Sequence, residues 1–199
     1  MVTNLNSGHK PGRGRPRVFD PEAALAIGER MFHEHGYDAV GLAALTEELG
    51  IKAPSFYAAF GSKAAFFERV MERYAQSALP AADLLAPGRP PAEALADLLE
   101  RAARTYAKDP RRRGCLVLEA ARGAGDTESA LLARRIAEER RAEIRAYVAA
   151  THPDAADAVT DYVASVMSGL SGSAREGMSE ARLAAVARAA AGGLHALLD

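Results

Sequence analysis

Apolar residues recur at intervals of three and four along most of this 199-residue chain, and glycine or proline interrupts each series. This spacing is typical of amphipathic helices, in which residues three and four apart share one face. Alanine, leucine, arginine and glutamate dominate, tryptophan is absent, and the β-branched residues that favour strands are sparse and scattered. The sequence therefore predicts an all-α fold.

Capping residues define the first helices. Asp20-Pro21 combines an N-capping side chain with a proline suited to the first helical position, so we expect a helix over 21–35 that Gly36 ends. Two short helices follow, and the turn between them contains Gly50. Two short helices joined by a glycine-containing turn form a helix-turn-helix candidate.

A longer fourth helix is expected to begin at the cap Ser62 and to stop or bend at Pro80. The loop at 87–91, rich in proline and glycine, then separates the N-terminal part from the rest. Beyond it the pattern predicts helices over 91–107, 112–123, 127–150, 154–175 and 179–197.

Charge and cysteine content limit the classes of function. The formal net charge is −1, but the first nineteen residues are basic and contain no acid, so attraction to nucleic acid must come from a local patch. The single cysteine, Cys115, excludes a disulfide within the chain and suits a reducing compartment. No apolar run approaches the ~20 residues that span a bilayer. We therefore expect a cytoplasmic protein with no membrane partner.

Residues 36–63 read GYDAVGLAALTEELGIKAPSFYAAFGSK and carry an ordered set of features. A Gly-Tyr pair follows the first helix, leucines space the second, and Gly-Ile forms the turn. Pro-Ser-Phe-Tyr then opens the third helix, and Phe-Gly-Ser-Lys leads into the fourth. This series resembles the DNA-binding signature of the TetR (tetracycline-repressor) family of bacterial transcription regulators, and the resemblance is close over 20–75.

The resemblance implies a dimeric repressor that binds a palindromic operator in double-stranded DNA and is released by a small-molecule effector, whose identity the sequence does not give. It also implies three parts. These are a flexible basic arm over 1–19, a helix-turn-helix DNA-binding domain over 20–66, and a ligand-binding and dimerisation domain over 67–199, to which the fourth helix connects.

The third helix has the composition of a major-groove helix, with short or polar residues outside and phenylalanines behind. Tyr57 and Ser55 can donate to a phosphate or a base edge, whereas Ala53 offers apolar contact, for example to a thymine methyl. Lys63 at the start of the fourth helix is placed to contact a phosphate. The predicted DNA-binding residues of the folded part are Lys52, Ala53, Ser55, Tyr57 and Lys63.

Three positions depart from the TetR pattern. Gly41 replaces the usual serine or threonine cap of the second helix, Lys52 stands where a serine or asparagine cap is usual, and Ala53 stands where a basic residue is common. These departures leave the motif intact, but the start of the third helix is less firmly capped and the basic contact moves by one position, to Lys52.

The segment GRGRPR at 12–17 is similar to a basic leader common in one branch of the family. Because it directly precedes the first helix, we expect Arg13, Arg15 and Arg17 to enter the adjacent minor groove, where arginine favours narrow A·T-rich steps. The segment also resembles an AT-hook, so an architectural, A·T-rich minor-groove DNA-binding protein is the alternative.

The helices that enclose the family's effector pocket carry aromatic, sulfur-containing and acidic residues. Residue types of this kind at helical spacing are also common in cores. The predicted ligand-binding residues are Phe67, Met71, Tyr74, Tyr106, Cys115 and Glu119. Three arginines precede Cys115 and could lower the pKa of its thiol, which would make it a redox sensor, but we favour a buried, inert thiol because no second cysteine could resolve a sulfenic acid.

The last two predicted helices carry apolar stripes at coiled-coil-like spacing. The resemblance implies that both helices pair with those of a second subunit in a four-helix interface. The alternative is that the stripes cover the core of the monomer. The predicted interface residues are Val159, Val163, Val166, Leu170, Leu183, Val186, Ala190 and Leu194.

No catalytic or metal-binding constellation is evident. His33 and His35 are two apart and lie on different helix faces, and the run around Ser171 lacks the last glycine and the preceding strand of a nucleophile elbow. We therefore expect neither an enzyme nor a cofactor or metal.

Overall fold

A computed structural model describes residues 19–123 and 125–198. Within these residues the chain forms ten helices and no strand, which confirms the all-α prediction. Their bounds are α1 Pro21–His35, α2 Leu42–Glu48, α3 Ala53–Phe60, α4 Lys63–Ala78, α5 Ala81–Leu84, α6 Pro91–Ala107, α7 Leu116–Ala121, α8 Glu128–Ala149, α9 Ala156–Arg175 and α10 Glu180–Leu198.

The N-terminal helices begin and end where the local sequence directs them. The Asp20 carboxylate accepts hydrogen bonds from the amides of Glu22 and Ala23, at 3.0 and 3.3 Å, and so caps α1. Gly36 ends this helix at a φ of 81°, a left-handed conformation that glycine adopts without strain. The Ser62 hydroxyl caps α4 by accepting from the Ala65 amide at 3.0 Å.

Helices α1 to α4 enclose an aromatic core. The Phe32 and Phe67 rings meet edge to face with their centroids 4.9 Å apart, and those of Phe60 and Phe66 lie 4.5 Å apart. At Gly28 a Cβ would lie 2.5 Å from the Phe66 ring, so α1 and α4 approach too closely there for any other residue. These contacts fix the orientation of the two short helices relative to α1 and α4.

The C-terminal helices pack around α6. This helix contacts α9 and α10, while α8 contacts α7, α9 and α4. Helix α4 therefore contacts both α1 and the C-terminal helices, and the predicted domain boundary at 66–67 falls inside it. Among the described helices, none combines the length and apolarity needed to cross a membrane.

Two local predictions differ from the structure. A short helix, α5, follows Pro80 and was not predicted, and α7 begins at Leu116 rather than at 112. The Asp109 carboxylate accepts from the Arg111 amide at 2.9 Å and from the Arg112 side chain at 2.8 Å, which holds this segment in a turn. Gly114 then has a φ of 81°, which no helical residue adopts, so the helix cannot extend back to 112.

Candidate functional site

Helix α3 presents a small, polar outer face on an aromatic base. Phe56 and Phe60 are buried, and the Tyr57 side chain between them is 51% exposed, although tyrosine has an apolar ring to bury. Ser55, Ala58 and Ala59 are exposed beside it. The face is therefore shallow enough for the helix to enter a major groove.

The start of α3 carries the departures noted in the sequence. Lys52 occupies the N-cap position and makes no side-chain cap hydrogen bond, and Gly41 caps α2 without one as well. The free amides at the start of α3 therefore lack a protein side-chain acceptor, and Lys52 is exposed beside them. Ala53 is half-buried.

Lys63 is held by a neighbouring loop. Its Nζ donates to the Tyr37 carbonyl oxygen at 2.7 Å and lies 3.9 Å from the centroid of the Tyr37 ring. Burial lowers the pKa of Lys63. The ammonium has two remaining N–H groups, so its predicted phosphate contact stays a prediction. Arg13, Arg15 and Arg17 lie outside the described residues.

A cavity of about 120 Å³ lies among α4, α6, α7, α8 and α9. Its wall includes three of the predicted ligand-binding residues, Tyr74, Tyr106 and Cys115. The remaining wall is mostly aliphatic, with Arg140, Arg141 and Glu143 from α8. Sequence reasoning did not find the contribution of α8, because its charged surface pattern gives no sign of which turn faces inward.

The other three predicted ligand-binding residues do not line this cavity. Phe67 packs into the aromatic core and Met71 is completely buried. Glu119 accepts a 2.6 Å hydrogen bond from the Ser171 hydroxyl. The sequence places these residues on helices, but only the tertiary packing determines which turn of each helix faces the cavity.

Ser171 links Glu119 to the start of α7 through two hydrogen bonds. Its hydroxyl is completely buried, and its oxygen accepts from the Cys115 amide at 2.9 Å while it donates to Glu119. Both capacities of the hydroxyl are therefore occupied in joining α9 to α7.

Cys115 is a buried thiol rather than an activated thiolate. Burial raises its pKa. Two of the three preceding arginines are directed elsewhere, because Arg112 pairs with Asp109 and Arg113 donates to the Met178 carbonyl at 3.1 Å. This environment does not favour the redox reading.

Most of the predicted dimer stripe lies inside the protomer. Five of the eight predicted interface residues are buried and fill the core between α9, α10 and α6. For these five the interface prediction is corrected, and the alternative, that the stripes cover the core of the monomer, applies. Val166 and Ala190 are half-buried, and Val186 is 47% exposed. The heptad-like spacing identified an apolar stripe, but the bulkier side chains of that stripe face the protomer's own helices. The five are Val159, Val163, Leu170, Leu183 and Leu194.

The outer face of α9 and α10 is lined by small residues. Gly169 on α9 and Ala185, Ala189 and Gly192 on α10 are exposed and recur at helical spacing. Such residues permit close helix–helix approach, and the exposed Val186 lies among them.

His33 connects the N-terminal helices to the cavity wall. Its ring meets the Tyr74 ring edge to face with centroids 5.5 Å apart, and its carbonyl accepts from Arg175 of α9 at 3.3 Å. Burial, aided by the nearby Arg175 charge, lowers the pKa of His33 from 6.5 to about 4. Tyr74 therefore contacts the cavity on one side and α1 on the other.

Helices α1 to α3 form a module whose third helix has an exposed, shallow outer face, and this module is attached to helices that enclose a cavity. This arrangement defines the class of helix-turn-helix regulators. Residues 24–70 match the family model described as bacterial regulatory proteins, tetR family. The chain is 42% identical over 187 residues to the HTH-type transcriptional repressor BdcR of Escherichia coli K12, covering 94% of each protein. It is 32% identical to the HTH-type transcriptional repressor ComR of the same organism, again over 94% of each.

A solved structure extends the likeness to the tertiary fold. A cysteine mutant of the TetR family transcriptional regulator CifR, in complex with 26-base-pair double-strand operator DNA, superposes with a TM-score of 0.74 at 34% identity. The match covers 89% of this chain and 98% of that one. The chain belongs to the TetR family of bacterial transcriptional regulators.

Proposed function

We propose that this protein is a homodimeric repressor that binds a two-fold symmetric operator through α3 and leaves it when a small molecule occupies the cavity. The observation that supports it most strongly is the exposed α3 face, in which Tyr57 is 51% exposed on a base of buried phenylalanines. The similarity to repressors and to an operator-bound regulator points the same way.

Each subunit contributes one α3, so a dimer would place two such helices about one DNA turn apart. The small-residue face of α9 and α10 supports pairing with a second copy. Replacing Val186 with glutamate should shift the dimer toward monomer in sedimentation experiments, because a charge in a closely packed interface is costly. Leu131→Glu is the matched control, since Leu131 is 49% exposed on α8 and lies beside the start of α4. A dimer insensitive to Val186→Glu contradicts this placement.

The route from cavity to DNA runs through Tyr74. A ligand that displaces the Tyr74 ring acts on His33, and hence on α1 and the orientation of α3. A change of a few ångströms in the separation of the two recognition helices would weaken operator binding. Helix α4 carries Tyr74 and is the element that transmits this shift.

The direct test is nuclease footprinting on DNA upstream of the protein's own gene. The proposal predicts a short, two-fold symmetric protected region, whereas diffuse coverage of A·T-rich DNA would support the architectural alternative. On the mapped operator, Ser55→Ala and Tyr57→Ala should each weaken binding about tenfold. Ser77→Ala, the same change at an exposed serine near the far end of α4, should leave affinity unchanged.

The basic arm is tested on the same operator. Deleting residues 1–17 should weaken binding and flatten its dependence on salt, because fewer phosphate charges are neutralised. A deletion that leaves both affinity and salt dependence unchanged removes Arg13, Arg15 and Arg17 from the DNA-binding surface.

A further inference from the structure

The wall of the cavity contains a polar group that the protein does not satisfy. The Tyr106 hydroxyl is buried and has no nitrogen or oxygen partner among the described residues, and the Cys115 thiol beside it is a weak acceptor. Leaving such a group unpaired costs free energy, and native structures seldom do so without a reason. Tyr106 lines the cavity together with Cys115 and Tyr74, so an acceptor that enters the cavity can reach this end of the wall with a small adjustment.

The polar side chains at this end of the cavity wall are uncharged hydrogen-bond donors. Burial raises the pKa of Tyr74, Tyr106 and Cys115, so each keeps its proton at neutral pH. A phenol that keeps its proton can donate to a carbonyl, ether or other uncharged acceptor.

The charged residues at the cavity are already paired. Arg140 donates to Glu143 at 2.7 Å, and Arg141 lies 3.7 Å from Glu138. A charged ligand would thus lose its hydration without gaining a free counter-charge, which is unfavourable in an otherwise apolar cavity. An apolar cavity of about 150 Å³ holds benzene, so the volume of about 120 Å³ suits a molecule with a single aromatic ring.

We propose that the cavity binds an uncharged, mostly apolar molecule about the size of one substituted benzene ring, oriented by a hydrogen bond that its acceptor receives from Tyr106. This inference rests on the proposed function, because it names the chemical class of the effector. Ligand binding is measured without DNA, so its failure can be distinguished from a failure of the proposed operator release.

The test compares three probes by calorimetric titration of the full-length protein. Acetophenone and α-methylstyrene have nearly the same shape, but only acetophenone carries a carbonyl acceptor, and benzoate adds a negative charge. Acetophenone should bind roughly three- to tenfold more tightly than α-methylstyrene, and benzoate should bind most weakly. Equal binding of the first two, tighter binding of benzoate, or no binding of acetophenone would overturn the proposal.

Tyr106→Phe isolates the hydroxyl. It should remove the preference for acetophenone over α-methylstyrene while leaving α-methylstyrene affinity unchanged. The ligand-free variant should unfold at or above the wild-type temperature, since the lost hydroxyl has only the weakly accepting Cys115 thiol beside it. Tyr147→Phe is the matched control, because the Tyr147 hydroxyl donates to the Arg89 carbonyl at 2.8 Å outside the cavity. A preference that survives Tyr106→Phe contradicts the assignment.

A gel shift with the mapped operator then tests the effector role by itself. Acetophenone binding that depends on Tyr106 but leaves the operator complex intact would support the ligand class and contradict release by that site. Release that needs roughly three- to tenfold more acetophenone in Tyr106→Phe than in the wild type supports both.

Discussion

All six phenylalanines of this chain lie between residues 19 and 67, whereas the helices beyond residue 80 pack mainly alanine, leucine and valine. The N-terminal rings contact one another in a continuous cluster, and the C-terminal helices enclose a cavity of about 120 Å³. Large rigid rings fill a small module completely, while small side chains leave space when helices cannot approach further. The difference gives α3 a closely packed support and leaves unfilled space among the C-terminal helices.

The largest expected change in stability follows the loss of an aromatic ring from the N-terminal core. Phe66→Ala should destabilise the protein by about 3 to 5 kcal/mol, because Phe66 is completely buried and contacts three other rings. Leu98→Ala at the cavity wall should cost only about 2 kcal/mol, since one side of Leu98 already lacks packing partners. Denaturant unfolding measures both values, and equal costs would contradict the contrast between the two interiors.

The next effect is a pH dependence at the junction of the two parts. Burial lowers the pKa of His33 from its ordinary value of 6.5 to about 4 in the folded protein. Between these two pH values the unfolded chain binds a proton that the folded chain does not. Stability should therefore fall as pH decreases from 6.5 toward 4, by up to about 3 kcal/mol. His33→Gln should flatten this part of the stability profile, and identical profiles would refute the assignment to His33.

A smaller effect is expected from the network that joins α7 to α9. Ser171→Ala should cost about 1 to 3 kcal/mol, because it leaves the buried Cys115 amide without its acceptor and removes one of the donors to the Glu119 carboxylate, which Arg122 also contacts. Ser165→Ala on the exposed side of the same helix is the control and should change stability little. Chemical denaturation of the two variants decides whether Ser171 is structural.

The smallest effect is a change in stability whose sign should differ between the cavity wall and the packed core beside it. Ala137 lines the cavity, so Ala137→Leu should stabilise the protein by about 1 kcal/mol and block acetophenone binding. Ala133, one turn earlier on α8, is completely buried away from it, and Ala133→Leu should destabilise by about 1 to 3 kcal/mol. Thermal unfolding that moves in the same direction for both variants would show that the cavity wall is not distinct from the core.

Local chemistry made much of the fold predictable. Asp20, Gly36 and Ser62 act through their own backbone or within three residues, so the limits of α1 and the start of α4 followed from sequence. The start of α7 did not, because the Asp109 turn and the conformation of Gly114 override the helical preference of the intervening arginines. Tyr57 was recognisable as a DNA-binding candidate because its exposed position follows from the spacing of Phe56 and Phe60.

By itself, the sequence determined the helical class, the helix-turn-helix motif and the outer face of α3, because these depend on periodicity, caps and spacing over short distances. Only the tertiary structure decided that Tyr74, Tyr106 and Cys115 face a cavity while Phe67, Met71 and Glu119 do not. It also decided that the bulky stripe of α9 and α10 fills the protomer and leaves a small-residue face outside. A helix has several faces, and which of them meets a given partner depends on crossing angles and distances set by residues far apart in the chain.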